Sequence, residues 1–196
     1  MKKILTLIAA AMAVVTLTVN MNLVKADAND EMKEASCVSF VIPSQFEPGL
    51  ERGLFVNKQY PMESSTIQYD CYNNGKDELL TNKEKQALAE KDEPVISDES
   101  LRLSKEIFED AVSRTYNEEY GEEVGYSVSS FNQMSIDGYP GYKIEGSFKV
   151  SDQETVYQTV YMILSKYKTF TITYQRAEDD DCEDLFADSQ ATIHVH

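Results

Sequence analysis

The chain has 196 residues, with 34 acidic against 18 basic side chains and a formal net charge of −16. That surplus of negative charge excludes nucleic acid and anionic membrane surfaces as primary partners, because both are polyanions. Cationic partners and calcium remain compatible, while two histidines, three cysteines and no tryptophan leave little for nucleophilic, metal or stacking chemistry.

The N-terminus reads as an export signal. Met1-Lys2-Lys3 is basic, Ile4 to Val19 is apolar and uncharged, and Val24-Lys25-Ala26 places small or apolar residues at the −3 and −1 positions of a cut after Ala26. The alternative is an uncleaved N-terminal anchor, since Ile4 to Val24 is about long enough to cross a bilayer. Cleavage removes three lysines and no acid, which moves the net charge from −16 to −19. Cys37 follows Glu34-Ala35-Ser36 rather than an apolar lipobox, so lipid attachment is not expected. No second apolar segment is long enough to span a membrane. The expectation is a secreted, extracellular chain: signal 1–26, flexible tail 27–36, and one domain over 37–196.

Val38 to Ile42 is a short strand stopped by Pro43, which cannot donate to a ladder. Ser44 to Glu51, with Pro48 and Gly49, is expected to be a loop. Arg52 to Tyr60 is a second strand ended by Pro61, and Ser64 to Tyr72 a third. Asn73 to Asp77 turns the chain. Thr81-Asn82-Lys83-Glu84 has the form of a capping box, so a helix is expected over 82–90, followed by a surface loop over 91–98.

Ser104 is the expected N-cap of the main helix, with Glu106 at its positive end. Ile107, Phe108, Ala111, Val112 and Tyr116 form one apolar stripe, and Gly121 ends the helix. Tyr126 to Met134 is the next strand. Asp137-Gly138 is a turn, extended by Tyr139-Pro140-Gly141. In Tyr142 to Val150 apolar and polar residues alternate, as on a half-buried antiparallel strand. Ser151 to Glu154 turns again.

Val156 to Ser165 is apolar on both sides, which marks a central strand covered on both faces. In Thr169 to Gln175, Phe170, Ile172 and Tyr174 alternate with threonines. Asp181 is an expected cap for a last helix over 182–191, and 192–196 a short frayed tail. Together these elements predict an α+β fold: a twisted, mainly antiparallel sheet of about six or seven strands with helices packed on its faces.

Cys37, Cys71 and Cys182 are an odd count, so at least one thiol is left over. Three free thiols and one disulfide both fit, and spacing does not choose a pair.

The order of elements and several short signatures resemble the PsbP-like α/β/α sandwich superfamily. These are the strand ending in Ile42-Pro43, the helix ending at Tyr120-Gly121, Ile136-Asp137-Gly138-Tyr139-Pro140-Gly141-Tyr142, Tyr157-Gln158-Thr159-Val160-Tyr161, Thr171-Ile172-Thr173-Tyr174, and a closing helix with Phe186 and Ser189. That superfamily includes a photosystem subunit, a nuclear Ran-binding protein and DcrB-type exported bacterial proteins. The chain is most similar to uncharacterised exported members from Gram-positive bacteria. The resemblance implies a binding or assembly role and carries over no catalytic residues, since fold alone transfers no activity.

Candidate chemistry is sparse. Glu178 to Asp184 is the densest acidic run, and Asp179, Asp180, Asp181 and Asp184 are candidate calcium ligands. Their expected role is to fill the first turn of the last helix. His194 and His196 alternate, so an extended backbone points both one way as candidate zinc or copper ligands; solvent exposure at a frayed end is the expectation. Tyr139, Tyr142, Tyr157, Tyr161, Tyr167 and Tyr174 could stack on glycans or peptides, but are expected to pack the core.

A Ser-His-Asp or Cys-His site would have to recruit a terminal histidine. No phosphate-binding glycine loop or basic stripe is present, and no cofactor is expected. The expected function is a non-catalytic binding or accessory domain, monomeric, engaging a protein or cell-envelope component through a sheet face, edge or loop. The alternatives are a small extracellular hydrolase with an unrecognised site and a calcium- or metal-binding module.

Overall fold

The computed structural model describes residues 33–73, 103–165 and 168–196. The export signal, most of the tail, the helix and loop expected over 82–98, and Tyr167 lie outside the described residues.

Helix α1 runs Lys105–Tyr120. Ser104 is extended and its side-chain oxygen accepts the Ile107 amide at 3.3 Å, satisfying one orphan donor of the first turn. Gly121 closes the helix with φ 68°, a left-handed conformation glycine adopts without a Cβ clash. Phe108, Val112 and Tyr116, four residues apart, are the buried stripe.

Four long strands follow: β5 Ser127–Ile136, β6 Tyr139–Lys149, β7 Thr155–Leu164 and β8 Lys168–Ala177. Preceding them are β1 Val38–Ser39, β2 Phe46–Pro48, β3 Leu54–Asn57 and β4 Thr66–Asn73; α2 Glu183–Gln190 and β9 His194–Val195 close the chain. Seven strands form one antiparallel sheet in the order β2-β3-β4-β8-β7-β6-β5, and β1 and β9 form a separate two-stranded ribbon. The expected α+β sheet with helices on its faces is therefore present.

Five expectations need correction. Residues 44–51 are not all loop: β2 lies within them and pairs Pro48 with Phe55. A proline is tolerated there because an edge strand need not donate outward. The strand expected over 52–60 shrinks to Leu54–Asn57, and that expected over 38–42 to Val38–Ser39.

The turn after β5 needs only Asp137 and Gly138, at φ 52° and 83°, with Ile136 paired to Tyr139. Positive φ at both central residues is the two-residue hairpin turn whose twist matches the strands. Tyr139-Pro140-Gly141 is thus strand, and Pro140 precedes the first β7 pair at Gly141, so its missing amide interrupts no β7 bond.

The C-terminus is not frayed. His194 and Val195 pair with Ser39 and Val38, and the His196 amide donates to Cys37 O at 2.9 Å.

Strand β7 divides two cores. Val156, Val160, Met162 and Leu164 join Tyr142, Ile144, Phe148 and the α1 stripe. On the opposite face Tyr161 and Ile163 join Ile67, Phe170, Ile172, Tyr174, Phe186 of α2, and Val38 and Val195 of the ribbon. The strand apolar on both faces does have two covers: α1 on one side, α2 and the ribbon on the other.

Candidate functional site

The residues singled out in the sequence are dispersed. Glu183 and Asp184 occupy the first turn of α2, as its dipole favours. Asp181 does not cap that helix; Cys182 stands at the N-cap and makes no side-chain cap bond. Asp180 turns inward instead. It is buried, and its carboxylate accepts the Ser64 amide at 3.0 Å, the Ala177 amide at 3.0 Å and the Ser64 hydroxyl at 3.2 Å.

Glu63 stands beside Asp180 with its Oε2 enclosed. Burial, and then the neighbouring Asp180 carboxylate, raise the Glu63 carboxyl above its ordinary value of 4.5. Such a group adds stability below its unfolded pKa and loses it as pH rises through the folded value. Glu63→Gln keeps a neutral side chain at every pH. It should raise Tm over the parent at pH 7 to 8 and leave it unchanged near pH 4; equal melting at both ends would refute the raised Glu63 carboxyl.

His194 Nδ1 lies 3.2 Å from Asp137 Oδ2, which also accepts the Val195 amide, and His196 Nε2 lies 2.7 Å from Ser39 Oγ. The Val195 amide, and then His194, hold the Asp137 carboxyl below its ordinary range. These partners fasten the ribbon to the β5–β6 turn. Among the described residues no three His, Cys, Asp or Glu side chains come together as a metal site.

The three cysteines are free: Cys37 and Cys71 exposed, Cys182 buried with its thiol pushed up to about 11, mainly by burial. Tyr142, Tyr161 and Tyr174 are core, with burial pushing Tyr174 up to about 12. Tyr157 is exposed with Arg176 4.8 Å from its ring, and the Tyr139 hydroxyl donates to Glu34 O.

The arrangement that sequence reasoning missed lies on the α1 side of the sheet. Across β6 and β7 that face is apolar. At β8 it changes character, because Gln175, Thr173, Thr171 and Thr169 stand opposite Gln158, Val160, Met162 and Leu164. Strand β4 continues it with Thr66, Gln68, Asp70 and Tyr72. Gln158 Nε2 donates to the Tyr116 hydroxyl of α1 at 2.6 Å and to Gln175 Oε1 at 2.7 Å. Gln68 Nε2 lies 3.1 Å from both oxygens of Asp70. Thr66, Gln68 and Gln175 are at most 4% exposed, yet Thr66 Oγ1, Gln68 Oε1 and Gln175 Nε2 find no partner among the described residues.

The available signal was parity. Gln158 interrupts an otherwise apolar face of β7, and the β8 threonines share that face with it.

With this topology in view, comparison with solved structures decides the fold. Cyanobacterial PsbP (CyanoP) from Synechocystis, a solution structure, aligns with 89% of this chain and 99% of its own length at 14% identity and a TM-score of 0.50. The chain has the PsbP-like fold. LpqN of Mycobacterium tuberculosis, described as involved in cell envelope biogenesis, aligns with 86% of this chain and 87% of its own at 15% identity and a TM-score of 0.43. A Bacteroides thetaiotaomicron structure covers 85% of this chain and 47% of its own at 13% identity and a TM-score of 0.40. No protein-family model and no curated protein sequence matches the chain significantly.

On this PsbP-like sheet the polar half-face combines neutral amides and hydroxyls with one carboxyl group, Asp70. Burial pushes Tyr116 and Tyr72 well above the ordinary tyrosine range, so both hydroxyls stay protonated. Half-buried Asp70, between Gln68 and Tyr72 in the row, is raised by burial while the Gln68 amide opposes the shift. Amides and hydroxyls of this kind orient a ligand by hydrogen bonds.

Proposed function

We propose that the chain is an exported, non-catalytic binding domain whose partner is a protein or cell-envelope component. The observation that carries this reading is the polar half-face. Half-buried Asp70, Thr171 and Thr173 share one sheet face with buried Thr66, Gln68 and Gln175, which carry three polar atoms without a hydrogen-bond partner among the described residues. Leaving a buried donor or acceptor unpaired costs about 1–3 kcal/mol each. A face holding three such atoms is better suited to hydrogen bonding with a ligand than to packing alone.

The test is capture from the native cell envelope and culture medium, with the parent protein compared with Thr171→Val/Thr173→Val. The double variant keeps shape and removes two hydroxyls. It should melt within about 2 °C of the parent, since surface-type changes cost little, and lose the specific partner that the parent retains. Recovery of no specific partner, or equal recovery by both proteins, would count against the proposal.

A further inference from the structure

The two edges of the seven-stranded sheet are built differently. Edge strands expose unpaired amides and carbonyls, and proteins guard them with short length, charge or proline. Strand β2 has all three devices: it is 3 residues long and contains Glu47 and Pro48. Strand β5 is 10 residues long, and from Val124 to Ile136 the chain carries no charge and no proline. Such a neutral stretch is conspicuous in a chain where 27% of residues are charged.

The register shows which groups of β5 are open. Ile136 and Tyr139 flank a two-residue turn, so they are a hydrogen-bonded pair and the pattern alternates from there. Met134, Asn132 and Ser130 therefore face β6, while Ser135, Gln133 and Phe131 face outward. The bulge between Val128 and Ser130 reverses this parity, so that on the far side of it Ser127 faces β6 and Val128 turns outward.

Helix α1 closes the first part of this edge. Glu109 Oε2 accepts the outward Val128 amide at 2.7 Å, and the Ser113 hydroxyl donates to Tyr126 O. Beyond the bulge, the backbone groups of Phe131, Gln133 and Ser135 have no such partner among the described residues.

We propose that Phe131–Ser135 is a strand-addition site, and that its occupant is an extended segment of another polypeptide with basic flanks. Half-buried Met134 and Ile136 border it on the ribbon side, so alternate residues of the added strand are apolar there. Glu122 and Glu123 precede β5, Asp137 follows it, and Glu106, Glu109 and Asp110 lie on the helix that packs against it. This acidic frame attracts lysine and arginine beside the neutral core. It also opposes a second copy of the chain, which would bring two such frames together. The site does not depend on the polar half-face, and Thr171→Val/Thr173→Val should leave it intact.

The test is an amide-shift titration of the ¹⁵N-labelled protein at low salt. The probe is a capped peptide in which valine and threonine alternate between terminal lysines, with the same peptide between terminal glutamates as comparator. The lysine peptide should shift and protect the amides of Phe131, Gln133 and Ser135, and bind about tenfold or more tighter than its comparator. Gln133→Pro removes one outward amide and should weaken binding about tenfold, whereas Gln133→Ala retains the amide and should bind as the parent does. If the proline variant fails to fold, Gln133→Lys/Ser135→Lys serves in its place, with the same loss expected from repulsion of the peptide's terminal lysines. No shift at these amides, equal affinity for the two peptides, or undiminished binding by the edge variants would overturn the inference. So would self-association through β5 at the titration concentration.

Discussion

Asp180→Ala should destabilise the protein by about 3 kcal/mol, lowering Tm by about 10 °C, because two buried amides and a hydroxyl lose their acceptor together. The carboxylate joins the Ser64 amide, just before β4, to the Ala177 amide at the end of β8. It therefore fixes where the chain leaves the sheet for α2 against where it enters β4. Denaturant unfolding should show a lower midpoint with an unchanged slope. Asp180→Asn retains one acceptor oxygen and should lose less. It also removes the negative charge that faces Glu63, so Glu63→Gln should give a smaller pH-dependent gain in that background, the part due to burial remaining. A loss under about 1 kcal/mol for Asp180→Ala would mean that water replaces the carboxylate without cost.

The position of Asp180 explains why it could not be found from sequence. It stands in a run of acids, any of which could serve the helix dipole, and Ser64, its principal partner, is 116 residues away. Features carried by neighbouring residues were legible. Ser104, the stripe through Phe108, Val112 and Tyr116, and Gly121 specify α1 locally, and alternation specifies β6 to β8. Features that depend on a distant strand were not. His194 and Val195 gain strand geometry only from Ser39 and Val38. The β8 threonines alternate like a solvent face, and become half-buried or buried only because β4 and β7 flank them. Their meaning as a candidate site needed the register that sets Gln158 beside Gln175 and Gln175 beside Thr66.

Gly141→Val should be the most damaging single change in the meander, at about 3 kcal/mol or more, and Gly141→Ala should be nearly as costly. A Cβ at this position would stand 2.2 Å from Met162 O and 3.2 Å from the Ile163 Cα, both backbone atoms of the central strand β7. No rotamer relieves that contact, so β6 would have to move away from β7. Gly121 makes the contrast. A Cβ there meets nothing within 4 Å, and Gly121→Ala should cost only the left-handed backbone term, about 1–2 kcal/mol. Sequence alone ranks the two the other way, because Gly121 ends a helix and Gly141 follows a turn dipeptide and a proline. The pairing of Gly141 with Ile163 reverses the order: a glycine inside a strand marks close approach of another backbone. Melting the two alanine variants side by side tests this reversal. If Gly121→Ala proves the more damaging, the tight β6–β7 approach is not what holds this end of the sheet.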